Sequence, residues 1–147
     1  MEEDITNKII EIFYYVYNEL GYGFLEKVYE RAMCVAFRNA GIKFVSQFPV
    51  KVIFEGEVVG NYIADFLIED RVVVGIKASR ELCGADEFQL INYLKCTDKE
   101  VGLLLNFGKR PQIKRKVFDN VLKKKYQLLL GTNWNTDDTD DTDFGLG

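Results

Sequence analysis

The segment from Tyr62 to Lys77 constrains the chain most. Tyr62-Ile63-Ala64-Asp65-Phe66-Leu67-Ile68 is an apolar run broken by one acid. Glu69-Asp70-Arg71 is a polar turn, and Val72-Val73-Val74-Gly75-Ile76-Lys77 is a second apolar run that ends on a lysine. Continuous β-branched residues at 72–74 predict a strand buried on both faces. Such a strand needs a covering layer on either side, which points to a layered α/β fold. Alternate residues of a strand share a face. If the two runs pair, Asp65 and residues 75 and 77 are expected to point to one side.

The flanking sequence supplies the layers. Ile5, Ile9, Ile12, Phe13, Val16 and Leu20 recur at helical spacing until Gly21-Tyr22-Gly23 breaks the pattern. A second helix carries Leu25, Val28, Tyr29, Ala32, Met33 and Ala36, with Gly41 expected at its C-terminal cap. Phe44 to Phe54 suggests one or two short strands, with Pro49 marking a break or an edge. Glu55-Gly56-Glu57 reads as a hairpin turn, and Val58 to Ile68 as the next strand. Phe88, Ile91, Asn92, Leu94 and Lys95 predict a helix from about Asp86 to Cys96. Val101 to Phe107 is a buried strand and Arg115 to Phe118 a final short one. Asp119 is expected to cap a last helix carrying Val121, Leu122, Tyr126 and Leu129. The expected order is α-α-β-β-β-α-β-β-α, a sandwich around a mixed sheet. Residues 1–130 are expected to form one domain. Residues 131–147, low in complexity and acidic, are expected to be a disordered tail.

Composition narrows the chemistry. The chain has no histidine, which removes Ser-His and Cys-His nucleophile pairs and imidazole metal ligands. A metal would have to be held mainly by oxygens, which favours a hard cation such as Mg²⁺ or Mn²⁺. Three scattered cysteines, Cys34, Cys83 and Cys96, fit a reduced cytoplasmic protein better than a disulfide framework. No run of about 18 apolar residues suggests a membrane span, and the acidic start Met1-Glu2-Glu3-Asp4 is unlike a secretory signal. The net charge of −4 hides an asymmetry. Asp137, Asp138, Asp140, Asp141 and Asp143 lie in the tail, leaving 19 basic against 18 acidic residues in 1–130, a net of +1.

A metal-dependent phosphodiesterase needs two or three carboxylates on a divalent ion and a lysine near the attacking water or the developing charge. Asp65 and Lys77 suit those roles, Glu26 on the second helix adds a carboxylate, and Gln89 a hydrogen-bonding group. On these residues alone, Asp65 and Lys77 read first as a cross-strand ion pair, Glu26 as a solvent-facing helix residue, and Gln89 with Tyr93 as a polar helix edge.

Several segments, in order, resemble one family. Gly23-Phe24-Leu25-Glu26-Lys27-Val28-Tyr29 carries the signature of the GxxExxY proteins, which resemble the PD-(D/E)XK nuclease (restriction endonuclease-like) superfamily. Gln47 to Val50, Ile63 to Leu67, Val72 to Ala78, Gln89 to Leu94 and Gly102 to Gly108 follow at compatible spacing. The resemblance covers roughly residues 5–118. It implies Glu26 as the helix acid, Asp65 as the strand acid, Lys77 as the active-site lysine, and Gln89 and Tyr93 as the late-helix pair. It also implies Mg or Mn as cofactor. The chain departs at Gly75, where the pattern has the glutamate of Glu-x-Lys, and lacks the family's histidine before Gln89, where Asp86 and Glu87 stand. Loss of a ligating carboxylate should weaken metal binding by more than the roughly 10–100-fold typical of lost outer partners. Glu81, Glu69 or Glu57 would be the relocated acid of a chain that stayed active.

Lys109, Arg110, Lys114, Arg115, Lys116, Lys123, Lys124 and Lys125 fall within 17 residues beside one acid, Asp119. That concentration suits phosphates, and nucleic acid is the expected partner. A solvated helix face is the alternative, and the acidic tail is expected to compete for the patch. The expected function is a nuclease-fold protein, weak or inactive as a Mg-dependent phosphodiesterase, that retains nucleic-acid binding. The alternative is a non-catalytic interaction module, self-associating through Tyr14, Tyr15, Tyr17, Tyr22 and Phe24 as a homo-oligomer.

Overall fold

The computed structural model describes residues 2–124. Two helices, α1 (Glu2–Leu20) and α2 (Glu26–Asn39), precede three strands, β1 (Phe44–Phe54), β2 (Glu57–Ile68) and β3 (Val72–Lys77). Helix α3 (Gly84–Lys95) then leads to β4 (Val101–Phe107) and β5 (Pro111–Val117). The sheet runs in sequence order, β1-β2-β3-β4-β5. Every neighbouring pair is antiparallel except β3 and β4, which are parallel and joined through α3. The predicted mixed α/β sandwich is therefore the fold.

The valine run does what its pattern requires. Val72 and Val74 pack with Ile9, Phe13, Tyr29, Met33 and Phe37 of α1 and α2. Val73 packs the other way, with Leu67, Leu90, Leu94 and Leu104. Burying side chains of this size stabilises by about 1.5–3 kcal/mol each, so β3 anchors both layers. Helix α2 ends in a Schellman arrangement. The Gly41 N–H donates to Arg38 O and the Ile42 N–H to Phe37 O, both at 3.0 Å. Gly41 takes the left-handed φ of +70° that this closure needs.

One open alternative is settled and two sequence expectations change. Phe44 to Phe54 is a single strand, at the sheet's edge, where a proline is tolerated. Helix α3 starts two residues earlier than expected, with the Asp86 carboxylate capping the Cys83 N–H at 3.1 Å. Strand β5 starts at Pro111, not Arg115, as proline is tolerated at the start of an edge strand. Beyond it, Asp119 Oδ1 accepts the Val121 N–H at 2.7 Å, the predicted cap of a helix that begins at residue 120. Tyr126, Leu129, Lys125 and the acidic tail lie outside the described residues.

Candidate functional site

The site forms where two strands part. Strands β2 and β3 pair only over Phe66↔Val74, Leu67↔Val73 and Ile68↔Val72. One step beyond that register, Asp65 comes level with Gly75. The Asp65 carboxylate accepts the Ile76 N–H at 2.6 Å, taking over a backbone donor just past the end of the ladder. The diverging strands leave a cavity of about 180 Å³. Its lining includes Glu26, Asp65, Gly75, Lys77, Asp86, Gln89 and Tyr93. The strand, helix and lysine positions singled out in the sequence thus share one cleft.

Each arrives by a local cause. Gly23-x-x-Glu26-x-x-Tyr29 splits its duties between cleft and core. Tyr29 is fully buried and stacks on Phe107, ring centres 4.2 Å apart. Its hydroxyl donates to Gly21 O at 2.6 Å and accepts the Phe24 N–H at 3.2 Å. The loop before α2 is thereby pinned, and Glu26, first residue of α2, is held over the end of β3. Gln89 and Tyr93, four residues apart, line the cleft from α3, where the Tyr93 hydroxyl donates to Ile63 O at 3.4 Å. Lys77 lies 3.8 Å from Asp86.

Two participants escaped the sequence reading. Asp86, which the sequence marks only as standing where the family's histidine is missing, is the ion-pair partner of Lys77 and a wall of the cleft. Glu30 is buried one helical turn after Glu26 and lies close enough to Asp65 to push its carboxyl up. It is held by Lys27 at 3.1 Å and by the Gln47 amide at 3.2 Å. Gln47 has a left-handed φ of +61°, a conformation uncommon for a side chain-bearing residue. The i,i+4 spacing of Glu26 and Glu30 was the available signal, but it is ubiquitous on solvated helices.

The electrostatics are those of crowded carboxyls. Burial pushes the Asp65 carboxyl up to about 7, and Glu30 and Glu26 push the same way against the Ile76 N–H. Glu26 is raised too, by burial first, with Glu30 and Asp86 adding to it against Lys77 and the Ala78 N–H. Burial raises the Tyr93 hydroxyl, and Asp65 adds to it.

The divalent cation implied by the resemblance meets a poor donor set. Among the described residues, no group of three or more Asp, Glu and Cys comes together to hold a metal ion. Burial holds the Asp65 carboxyl up at about 7, Asp86 is paired with Lys77, and Gly75 offers no donor. As they stand, these residues do not fit such an ion. Room for another carboxylate is nearly there: a Cβ on Gly75 would meet only Leu104 Cδ1, at 3.2 Å. Glu57, Glu69 and Glu81 are not among the cleft residues, and the Glu69 carboxylate is engaged by the Lys43 N–H.

The basic segment is divided by the alternation of β5. Lys116 pairs with Glu87 of α3 at 2.6 Å, and Lys114 acts on the same carboxylate. Arg115 falls on the opposite face. Lys109 and Arg110 sit apart, in the turn between β4 and β5.

Comparison with known proteins agrees with this architecture. The model of the PD-(D/E)XK nuclease superfamily matches residues 3–116. The chain belongs to that superfamily. No curated protein matches the sequence. Among solved structures, the superfamily member described here is similar to an alkaline exonuclease from Laribacter hongkongensis. The two share 12% identity at a TM-score of 0.47, over 71% of this chain and 61% of the other. It is also similar to the protein SSO0001, with 16% identity and a TM-score of 0.47, over 66% of this chain and 52% of that one. The chain therefore spans between half and two thirds of the length of these structures.

Proposed function

We propose that this chain is a GxxExxY-type nuclease-fold protein whose phosphodiesterase site is degraded at Gly75, and that it still contacts nucleic acid through Lys77 and its basic residues. One observation carries the reading. Gly75 faces the cleft at the level of Asp65, between the strand acid and the lysine, where a second strand carboxylate would complete the donor set. Lys77 is then left to Asp86, and Asp65 keeps a proton near neutral pH that a metal ligand would have to shed. The expected partner is nucleic acid, Mg²⁺ or Mn²⁺ would be held firmly only with a carboxylate restored at position 75, and the setting is the reducing cytoplasm, where the free thiols of Cys34, Cys83 and Cys96 would persist.

The test compares the chain with Gly75→Glu and with Gly75→Glu/Leu104→Val, the second making room for the new side chain. Both are offered single- and double-stranded DNA and RNA over a titration of Mg²⁺ and Mn²⁺. Cleavage should appear or rise by at least 10-fold in a substituted chain. If the original and both variants stay inert on every substrate, the nuclease reading of this cleft is wrong. Cleavage by the original chain, abolished by Asp65→Ala, would instead mark it as an intact enzyme.

An assembly module is the weaker reading. Tyr14, Tyr15, Tyr22 and Phe24 are exposed, but Tyr17 is committed, donating through its hydroxyl to Gly108 O and Lys109 O at 2.8 Å.

A further inference from the structure

The parallel strands β3 and β4 end on the same side of the sheet, and the segments that follow them meet. Asn106, fully buried at the end of β4, binds Ser79 twice: its Oδ1 accepts the Ser79 N–H and its Nδ2 donates to Ser79 O, both at 2.9 Å. The same Nδ2 donates to Gln112 Oε1 at 3.0 Å, and that oxygen also accepts the Leu82 N–H at 3.1 Å. Gly108 lies so close that a Cβ there would sit 2.4 Å from Ser79 O. Residues 79–82 are thus clamped against the β4–β5 turn. The clamp brings Arg80 to the turn's own Lys109 and Arg110.

Together with Glu81, Pro111 and Gln112 these three cations line a pocket of about 640 Å³. Among the described residues none of the three makes an ion pair, whereas Lys77, Lys99 and Lys116 all do. Three cations against the single carboxylate of Glu81 leave the concave surface net positive, and an anion between them relieves the remaining repulsion. Arg80 lies three residues beyond Lys77, so their Cα atoms are at most about 11 Å apart. At about 3.4 Å of axis per phosphate on one strand, that spans on the order of three nucleotides.

We propose that the pocket of Arg80, Lys109 and Arg110 binds the phosphodiester backbone of a nucleic acid a few nucleotides from the Lys77 cleft. The inference rests on the nucleic-acid part of the function proposed above, but not on cleavage. The arginines recognise phosphate oxygens through their forked N–H donors and make no base contact, so the pocket fixes strand position without reading sequence.

The test is fluorescence anisotropy of the full chain with a labelled mixed-sequence oligonucleotide, single-stranded and as a duplex, between 50 and 200 mM KCl. Arg80→Gln and Arg110→Gln are compared with Arg38→Gln, which removes the same charge from the exposed end of α2. Thermal melts confirm folding of each. Each pocket variant should weaken binding several-fold and lower the salt exponent by about 0.9 on duplex or about 0.7 on a single strand. Arg38→Gln should leave the exponent unchanged. Equal losses in all three variants would reduce the effect to net charge and overturn the pocket. So would pocket variants that bind like the original chain. Absence of binding by the original chain would overturn the pocket and the nucleic-acid reading together, whereas tight, pocket-dependent binding without cleavage in any Gly75 variant would remove only the nuclease reading.

Discussion

The Ile76 amide donates a 2.6 Å hydrogen bond to the Asp65 carboxylate at the point where β2 and β3 cease to pair. This one contact stands in for a ladder bond, fixes the acid in the cleft and brings it against Glu30. The acid is structural as well as chemical, so its substitutions must be read on both counts.

Asp65→Asn separates the two. The neutral amide keeps an acceptor for the Ile76 N–H and gains a donor for Glu30. The Asp65 carboxyl titrates near 7 in the fold against about 3.9 in an unfolded chain. The folded state therefore holds the proton more tightly, and stability falls as pH rises from about 4 to about 7. Above pH 7 the substitution should stabilise by on the order of 1–2 kcal/mol after allowance for screening by water and Lys77, and below pH 4 by nearly nothing. Urea titrations at pH 4, 6 and 8 measure it. A stability gap independent of pH would remove Asp65 as the titrating group.

Gly75→Glu should destabilise the metal-free fold at pH 8. It sets a further carboxylate beside Asp65 and Glu30 and displaces Leu104 by a few tenths of an ångström. The gain from removing a strand glycine, about 0.5–1 kcal/mol, should not offset this. Millimolar Mg²⁺ or Mn²⁺ should then raise the melting temperature of the variant by several degrees and that of the original chain much less. Equal shifts would show that the added acid does not complete a binding site.

Tyr29→Phe keeps the stack on Phe107 and deletes the hydroxyl that ties Gly21 to Phe24. A loss of about 1–2 kcal/mol is expected, with faster hydrogen exchange confined to residues 21–26. Since Glu26 hangs on that loop, the same variant should lose cleft-dependent function beyond its cost in stability. Protection unchanged at 21–26 would contradict this account of the motif's tyrosine.

Asn106→Leu keeps the volume of a buried side chain and leaves the Ser79 backbone and Gln112 without their partner. The expected cost is on the order of 3 kcal/mol. The loss should appear in denaturant unfolding, together with exchange of the Ser79 and Leu82 amides. A loss below about 1 kcal/mol would mean that residues 79–82 hold their place without Asn106.

Much of the framework could be read from the chain because its causes are local. Val72-Val73-Val74 demands cover on both faces. Gly41 closes a helix, and Glu55-Gly56 takes the left-handed φ pair of a tight hairpin, at +50° and +82°. Motif and strand parity point to Glu26, Asp65, Lys77, Gln89 and Tyr93, which line one cleft, and the mismatch with the motif points to Gly75. Strand β5 was misjudged because an edge strand with one wet face carries little periodic signal: Lys114, Arg115 and Lys116 are polar whichever way they point. Three facts needed the tertiary structure. Glu30 meets Asp65, Asp86 meets Lys77, and Arg80 joins Lys109 and Arg110. Each joins side chains from separate elements, whose meeting depends on where a ladder stops, how a helix crosses a sheet and which loop a buried asparagine clamps. Spacing along the chain encodes the face on which a residue lies. Only packing decides which faces meet.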